Sequence, residues 1–167
     1  KLVENVLLVN QIDNNNLSIN IENCNLSEFI ESITQRYFGA LMEKGELKLK
    51  TEQNILAAID KDLFPSVVIN LIENAVKYSF NNIAIEIVLT QENNKALLEI
   101  KDNGTGISNA EKTQVFHKFF RSGNEETRKT KGTGIGLYIV KMICDLHKAH
   151  IKIIDNTPNG SIFQIRF

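Results

Sequence analysis

Phe64, Val67, Val68, Leu71, Ile72 and Ala75 recur at three- and four-residue spacing, which places six apolar side chains along one side of a single helix. A stripe of that width must be covered, so the helix has to lie against a second layer. A partner follows directly in the chain. Residues Ile83–Thr90 and Ala96–Lys101 read as two strands of a hairpin turning near Asn93-Asn94. A helix with one greasy side next to an antiparallel hairpin predicts a helix-on-sheet arrangement.

The flanking segments extend both layers. Strand candidates fall at Ile19–Ile21, Glu46–Lys50 and Ile55–Ile59. A helix is predicted from Leu26 to about Lys44, with Asn25 and Glu28 at capping-box spacing and Gly45 at its end. Pro65 sits in the first turn of the helix that carries the stripe, which runs to about Ser79. Ser108 and Glu111 predict a further helix to His117, and another starts near Thr133. Strands Ile151–Asp155 and Ser161–Phe167 flank a Pro158-Asn159-Gly160 turn. The expected fold is α+β, a two-layer α/β sandwich whose mixed, mostly antiparallel sheet is covered by helices.

Residues 1–12 form a separate question. Leu2, Val3, Val6, Leu7 and Val9 lie at helical spacing, and the piece ends in the polar run Asp13-Asn14-Asn15-Asn16. Either this helix packs on its own domain, or it is the stump of a longer helix in a neighbouring one. The chain opens at Lys1 without an initiator methionine, and reads as an internal piece of something longer.

Composition matters mainly for what it removes. The formal net charge of -1 gives no broad basic field for nucleic acid or an anionic membrane, so any phosphate site must be local. No apolar run approaches the roughly 18 residues of a membrane span. Cys24 and Cys144 read as two reduced thiols rather than a disulfide framework.

Three segments carry chemistry. Asn70, Glu73, Asn74 and Lys77 form a polar row beside the apolar stripe. Amide oxygens suit Mg²⁺ and the ammonium suits a phosphate oxygen, although such a row is also what a solvated helix face looks like. Asp102-Asn103-Gly104-Thr105-Gly106 follows a strand; its acid can accept a hydrogen bond from an exocyclic amine, and its glycines admit a ligand close to the main chain. By itself this is also common turn chemistry. Gly132-Thr133-Gly134-Ile135-Gly136-Leu137 opens a helix, where main-chain N–H groups form a phosphate cradle. Leu137 stands where a dinucleotide fingerprint needs its third glycine, and no Gly-Lys-Ser/Thr closes a Walker loop. Cys144, His147 and His150 fall at i, i+3 and i+6, but no fourth zinc ligand accompanies them.

The order of these segments is more specific than any of them. Residues 70–79 (NLIENAVKYS), Asp102–Gly106, Val115–Arg121 (VFHKFFR) and Gly132–Leu137 resemble, in sequence, the N box, first glycine box, F box and second glycine box of the catalytic domain of sensor histidine kinases. Gly160–Phe163 resembles that family's closing strand, and the resemblance covers roughly residues 17–167. It implies the Bergerat ATP-binding fold shared with Hsp90, gyrase and MutL, with ATP and Mg²⁺ as ligands. On that resemblance Asn74 is the Mg²⁺ ligand, and Asn70 lies near the metal and phosphates. Lys77 contacts phosphate, Tyr78 lies against the nucleoside, and Asp102 reads the adenine amine with Ser161 assisting. Gly104, Gly106, Ile107, Phe120, Lys131, Gly132, Thr133, Gly134, Ile135, Gly136 and Leu137 complete the nucleotide contacts. Arg121 sits near the γ-phosphate with Asn70 and Lys77 as the catalytic set, and residues 122–131 form a lid that Phe119 or Phe120 anchors.

Hydrolysing members of that superfamily carry glutamate where this chain has Asn70, so the resemblance implies a kinase acting on a histidine rather than a stand-alone ATPase. His117, His147 and His150 all lack the setting of the family's phosphoacceptor. Residues 1–16 then correspond to the end of the second helix of a dimerisation and phosphoacceptor domain plus linker, and 17–167 to the catalytic domain. The implied partners are that domain, within a homodimer, and a response regulator's receiver aspartate, with no nucleic acid and no direct membrane contact. The implied setting is the cytoplasm, whether or not the parent is membrane-anchored. A degenerate kinase that uses ATP only as a conformational signal is the alternative. The chain departs from the family at Ile135, usually leucine, and at His147-Lys148-Ala149, usually His-Gly-Gly.

Overall fold

The apolar stripe is buried as a unit. Phe64, Val67, Val68, Leu71, Ile72 and Ala75 are all in the core, five of them on α3 (Pro65–Tyr78) and Phe64 at its entrance. Burial of each Phe, Val, Leu or Ile among them contributes on the order of 1.5–3 kcal/mol. The structure, a computed structural model, describes residues 2–14, 16–79, 82–121 and 132–167. Along the chain lie α1 (Leu2–Asp13), β1 (Glu22–Asn25), α2 (Leu26–Glu43), β2 (Leu47–Thr51), β3 (Leu56–Ile59) and α3. After them come β4 (Ile85–Glu92), β5 (Lys95–Lys101), a 3-10 turn at Gln114–Phe116, α4 (Gly136–Leu146), β6 (His150–Asp155) and β7 (Ser161–Arg166).

The layer under α3 is a five-stranded sheet in the order β2-β4-β5-β7-β6, with β2 parallel to β4 and every other pair antiparallel. Register explains why it holds together. Ile87, Ile100, Phe163 and Ile153 stand opposite one another across four strands, and Leu89, Leu98, Ile165 and Ile151 form the next row. All eight are buried, on the side facing the helices. The expected α+β sandwich with a mixed, mostly antiparallel sheet is the fold observed. β1 and β3 form a separate antiparallel pair.

The local signals hold in several places. Asn93 and Asn94 both take left-handed angles (φ 51° and 61°), as a two-residue hairpin turn requires. Asn25 Oδ1 accepts the Glu28 N–H at the start of α2 (3.4 Å), and Gly45 follows its end at φ 71°. Cys24 and Cys144 are free and buried, and burial pushes the Cys144 thiol up to about 12.

Three expectations need correction. The first strand is not Ile19–Ile21 but Glu22–Asn25, because pairing with β3 decides it while the Asn20 N–H is taken by the Asp60 carboxylate at 2.7 Å. At Ser108 the hydroxyl donates to the Glu111 carboxylate at 2.5 Å, a side-chain pair in place of the expected capping box, and no α-helix follows it; the segment makes turns and one 3-10 turn. The last helix begins at Gly136, not near Thr133, because Gly134 is left-handed at φ 71°.

α1 packs against the rest of the chain through Val9 and Ile12, which are buried, and lies against α4. Val3, Val6 and Leu7 are exposed on it. Among the described residues no helix is long and apolar enough to cross a membrane.

Candidate functional site

α3 is the wall along which the sequence-predicted residues collect. Its entrance is held by Asp60, whose Oδ1 accepts the N–H groups of Asp62 and Leu63 at 2.9 Å each. Burial alone would push that carboxyl up; the three N–H donors, Asn20 included, outweigh it and hold the group below its ordinary value. The Asp60 N–H donates to His147 Nε2 at 2.8 Å, and His147 Nδ1 lies 2.7 Å from the Ile143 carbonyl. That carbonyl can only accept, so Nδ1 carries a proton, while Nε2 accepts from the Asp60 N–H. Both ring nitrogens are therefore engaged by backbone, leaving neither for the zinc ligation considered for Cys144, His147 and His150.

Beyond the entrance the polar row faces the glycine segment 132–136. Asn70 is buried and donates Nδ2 to the Ser66 carbonyl at 2.7 Å, which leaves its Oδ1 facing Gly136. A Cβ on Gly136 would come within 2.9 Å of that oxygen. Two turns further along, Lys77 Nζ lies so close to Gly132 that a Cβ there would stand 2.4 Å from it. The segment thus runs along α3 from Lys77 back to Asn70, with half-buried Asn74 between them on the same side. Lys77 Nζ also approaches Tyr78 Oη at 3.2 Å and its ring at 4.7 Å.

Asp102, at the end of β5, is buried and held by main chain. Its Oδ1 accepts N–H groups from Gly104 (2.8 Å) and Ser161 (3.1 Å), and its own N–H donates to the Ser161 carbonyl at 2.9 Å. Oδ2 carries no hydrogen bond from the described residues and is not sealed from solvent, so one acceptor stands open. Burial pushes the carboxyl above its ordinary value, opposed by those two N–H groups. Gly160 permits the close approach: at φ 111°, a Cβ there would lie 1.9 Å from the Asp102 carbonyl oxygen. Gly104 abuts the last turn of α3, where a Cβ would come 2.6 Å from the Tyr78 carbonyl. Both glycine segments therefore meet the same helix.

The remaining expected residues lie around these. Gly106 follows Gly104 at φ 73°, Ile107 is half-buried against the core, and Ser161 is buried beside Asp102. Phe119 donates its N–H to the Gly134 carbonyl at 3.0 Å, joining the F segment to the glycine segment. Phe119 is exposed, while Phe120 and Arg121 are half-buried. Thr133 is exposed, Ile135 is in the core, and Leu137 packs against it. Lys131 and the rest of the expected lid, 122–131, lie outside the described residues.

Two residues that sequence reasoning did not single out shape the site. Asn103 accepts from Ser79 Oγ and the Ala84 N–H (3.1 Å each) and donates to the Asn82 carbonyl at 2.7 Å, tying the end of α3 to the Asp102 loop. Its place inside the Asp-x-Gly-x-Gly run was the available signal. Asn156 Nδ2 donates to the Asp102 carbonyl at 2.7 Å across 54 residues, and nothing local marks it. The whole arrangement offers an open carboxylate oxygen by the last turn of α3 and ammonium, amide and glycine main chain along the helix from Lys77 back to Asn70.

Residues 59–167 match the model of the family described as histidine kinase-, DNA gyrase B-, and HSP90-like ATPase. The chain is 30% identical over 168 residues to the sensor protein KdpD of Clostridium acetobutylicum, an alignment covering 98% of this chain and 18% of that protein. It superposes on a mycobacterial sensor histidine kinase, MprB, with a TM-score of 0.73 at 25% identity, covering 89% of this chain and 97% of the other. At 20% identity and a TM-score of 0.76, covering 99% of this chain and 47% of that one, it also shares the fold of the histidine kinase ThkA, solved in complex with the response regulator protein TrrA. The chain spans under a third of the length of the first curated relatives it matches.

Proposed function

This chain belongs to the histidine kinase-, DNA gyrase B- and HSP90-like ATPase family as the catalytic ATP-binding domain of a two-component sensor histidine kinase, and on that premise we propose how its residues hold Mg-ATP and present the γ-phosphate. The observation that carries the reading is Asp102. Two main-chain N–H groups orient its Oδ1, and Oδ2 is left open to accept a hydrogen bond from the adenine amine. The phosphates then lie along the segment Gly132–Gly136, where Lys77 supplies positive charge and the glycine N–H groups supply donors. Tyr78 flanks the nucleoside, and Phe120, Arg121 and Lys131 belong to the phosphate side.

The donor set fits Mg²⁺. The amide oxygen of Asn74 is a hard, neutral ligand of the kind that leaves the ion most of its waters, and Asn74 stands on α3 between Asn70 and Lys77, which face Gly136 and Gly132. When bound, the ion neutralises charge on the phosphate oxygens. Asn70 has no carboxylate with which to activate water, which favours transfer to a neutral imidazole over hydrolysis.

The acceptor histidine is outside this chain, on a dimerisation domain of which residues 1–16 form the last helical piece and linker; residues 17–167 form the catalytic unit. The phosphoryl group then passes to a receiver aspartate of a response regulator. The setting proposed is cytoplasmic. Calorimetric titration with a non-hydrolysable ATP analogue, with and without Mg²⁺, is the first test. Micromolar binding that needs Mg²⁺ and is lost in Asn74→Ala supports the site; no binding of ATP or ADP overturns it. Adding the phosphoacceptor domain in trans then tests transfer, since binding without phosphohistidine would make the domain a nucleotide-dependent binding module.

A further inference from the structure

Asp13 closes α1, and its place there is unfavourable for the helix itself. A carboxylate at a helix C-terminus opposes the macrodipole, and the last turn of α1 contains no basic residue to offset it. What engages Asp13 comes from far along the chain. Lys118 Nζ donates to Oδ2 at 2.5 Å, and Tyr138 Oη, on α4, donates to Oδ1 at 2.7 Å. The Lys118 hydrogen bond, followed by that of Tyr138, holds the Asp13 carboxyl below its ordinary value. Lys118 also stands 5.6 Å from the Phe119 ring and 5.9 Å from the Tyr138 ring, so one cation gathers a carboxylate and two aromatic faces.

The next residue connects this cluster to the nucleotide side. Phe119 is left-handed (φ 65°), a conformation that an aromatic residue keeps only when its surroundings impose it. Lys118 holds it from one side. On the other, its N–H donates to the Gly134 carbonyl, and a Cβ on Gly134 would come within 2.7 Å of the Phe119 carbonyl carbon. A second link is apolar: Val6 and Val9 of α1 line one groove together with Phe119 and Ile135 of the glycine segment.

We propose that Asp13, Lys118 and Tyr138 form a clasp through which the seating of α1 and the shape of the glycine segment 132–136 set one another. Asp13 and Lys118 are positioning residues that act through Phe119 and Gly134. Coupling of this kind is reciprocal: whatever orders the glycine segment must also tighten α1, and the converse. The inference deepens the nucleotide reading and rests on it for the ligand-bound effect alone.

The test is amide hydrogen exchange on this chain without ligand, in Asp13→Asn, Lys118→Met and the charge swap Asp13→Lys with Lys118→Asp. Exchange is expected to speed up about two- to fivefold in both single variants, at Val6–Ile12 and also at Gly132–Gly136, and to slow again in the swap. Faster exchange in α1 with residues 132–136 unchanged would overturn the proposal, as would no change in either. Repeating the measurement with the ATP analogue should protect α1 in the wild type and less in the single variants. Failure of the wild type to bind the analogue would count against the nucleotide reading and leave the ligand-free result standing.

Discussion

At residues 102–106 the main chain is held from several directions: Asp102 pairs with Ser161 in both senses, Asn156 takes its carbonyl, and Asn103 ties the loop to residues 79–84. At residues 132–136 the first two residues are exposed, Gly132 and Gly136 face the side-chain ends Lys77 Nζ and Asn70 Oδ1, and the main-chain neighbours are those of Phe119 and Phe120 at Gly134. The contrast suits the two ends of a nucleotide. A base is discriminated by fixed polar groups, because a wrong partner leaves them unpaired in a buried place. A phosphate chain is recognised by charge and by N–H groups that tolerate small shifts, and its end changes shape as the phosphoryl group leaves.

The sharpest way to break this comparison is Gly160→Ala. The new Cβ would meet backbone, the Asp102 carbonyl, at 1.9 Å, and φ 111° is unavailable to alanine without strain. Urea unfolding should show a loss of more than about 3 kcal/mol. A loss below about 1 kcal/mol would mean the Asp102 loop, the proposed base end, yields as readily as the glycine segment 132–136.

Asp102→Asn is next. An asparagine cannot offer both its oxygen to the Gly104 and Ser161 N–H groups and a second acceptor to an amine. Adenine-nucleotide affinity should fall by about 1–3 kcal/mol, roughly fivefold to 150-fold by calorimetry. Unchanged affinity would remove the adenine assignment and with it the functional half of the contrast.

Gly136→Ala tests the intermediate case. Its Cβ would press on Asn70 Oδ1 at 2.9 Å, an overpacking of about 1–3 kcal/mol, with little helix-propensity gain to offset it because Gly136 is the first residue of α4. Thermal melts should show net destabilisation near about 1 kcal/mol. Gly132→Ala should do least, within about 0.5 kcal/mol, because only the mobile end of Lys77 stands in the way. A larger effect at Gly132 than at Gly136 would reverse the expected order.

Much of this was legible from local pattern. The stripe on α3, the Asn93-Asn94 hairpin, the cap at Asn25 and the left-handed Gly45 are consequences of near neighbours, and all appear as read. The misses share a cause. Glu22–Asn25 is a strand because β3 offers it partners, which no alternation inside the segment ENCN announces. The helix expected after Ser108 gives way because the chain must instead bring Phe119 to Gly134. Lys148, where the family pattern has glycine, takes the left-handed angle (φ 55°) that the pattern anticipates and ends α4 there despite its side chain.

By itself the sequence marked a polar row, an acidic turn and a glycine segment, and the helix and strands that present them, because periodicity and turn preference act over a few residues. The nucleotide reading of those segments came from their order, which resembles that of a known family. Tertiary structure alone decided that Asn156 would hold the Asp102 carbonyl, that Gly160 would lie under it, and that Asp13 would find Lys118 and Tyr138 more than a hundred residues away. Those contacts depend on how the layers close over one another. A hydrogen bond between distant residues leaves no periodic trace, since its free energy appears only once packing has already brought both groups together.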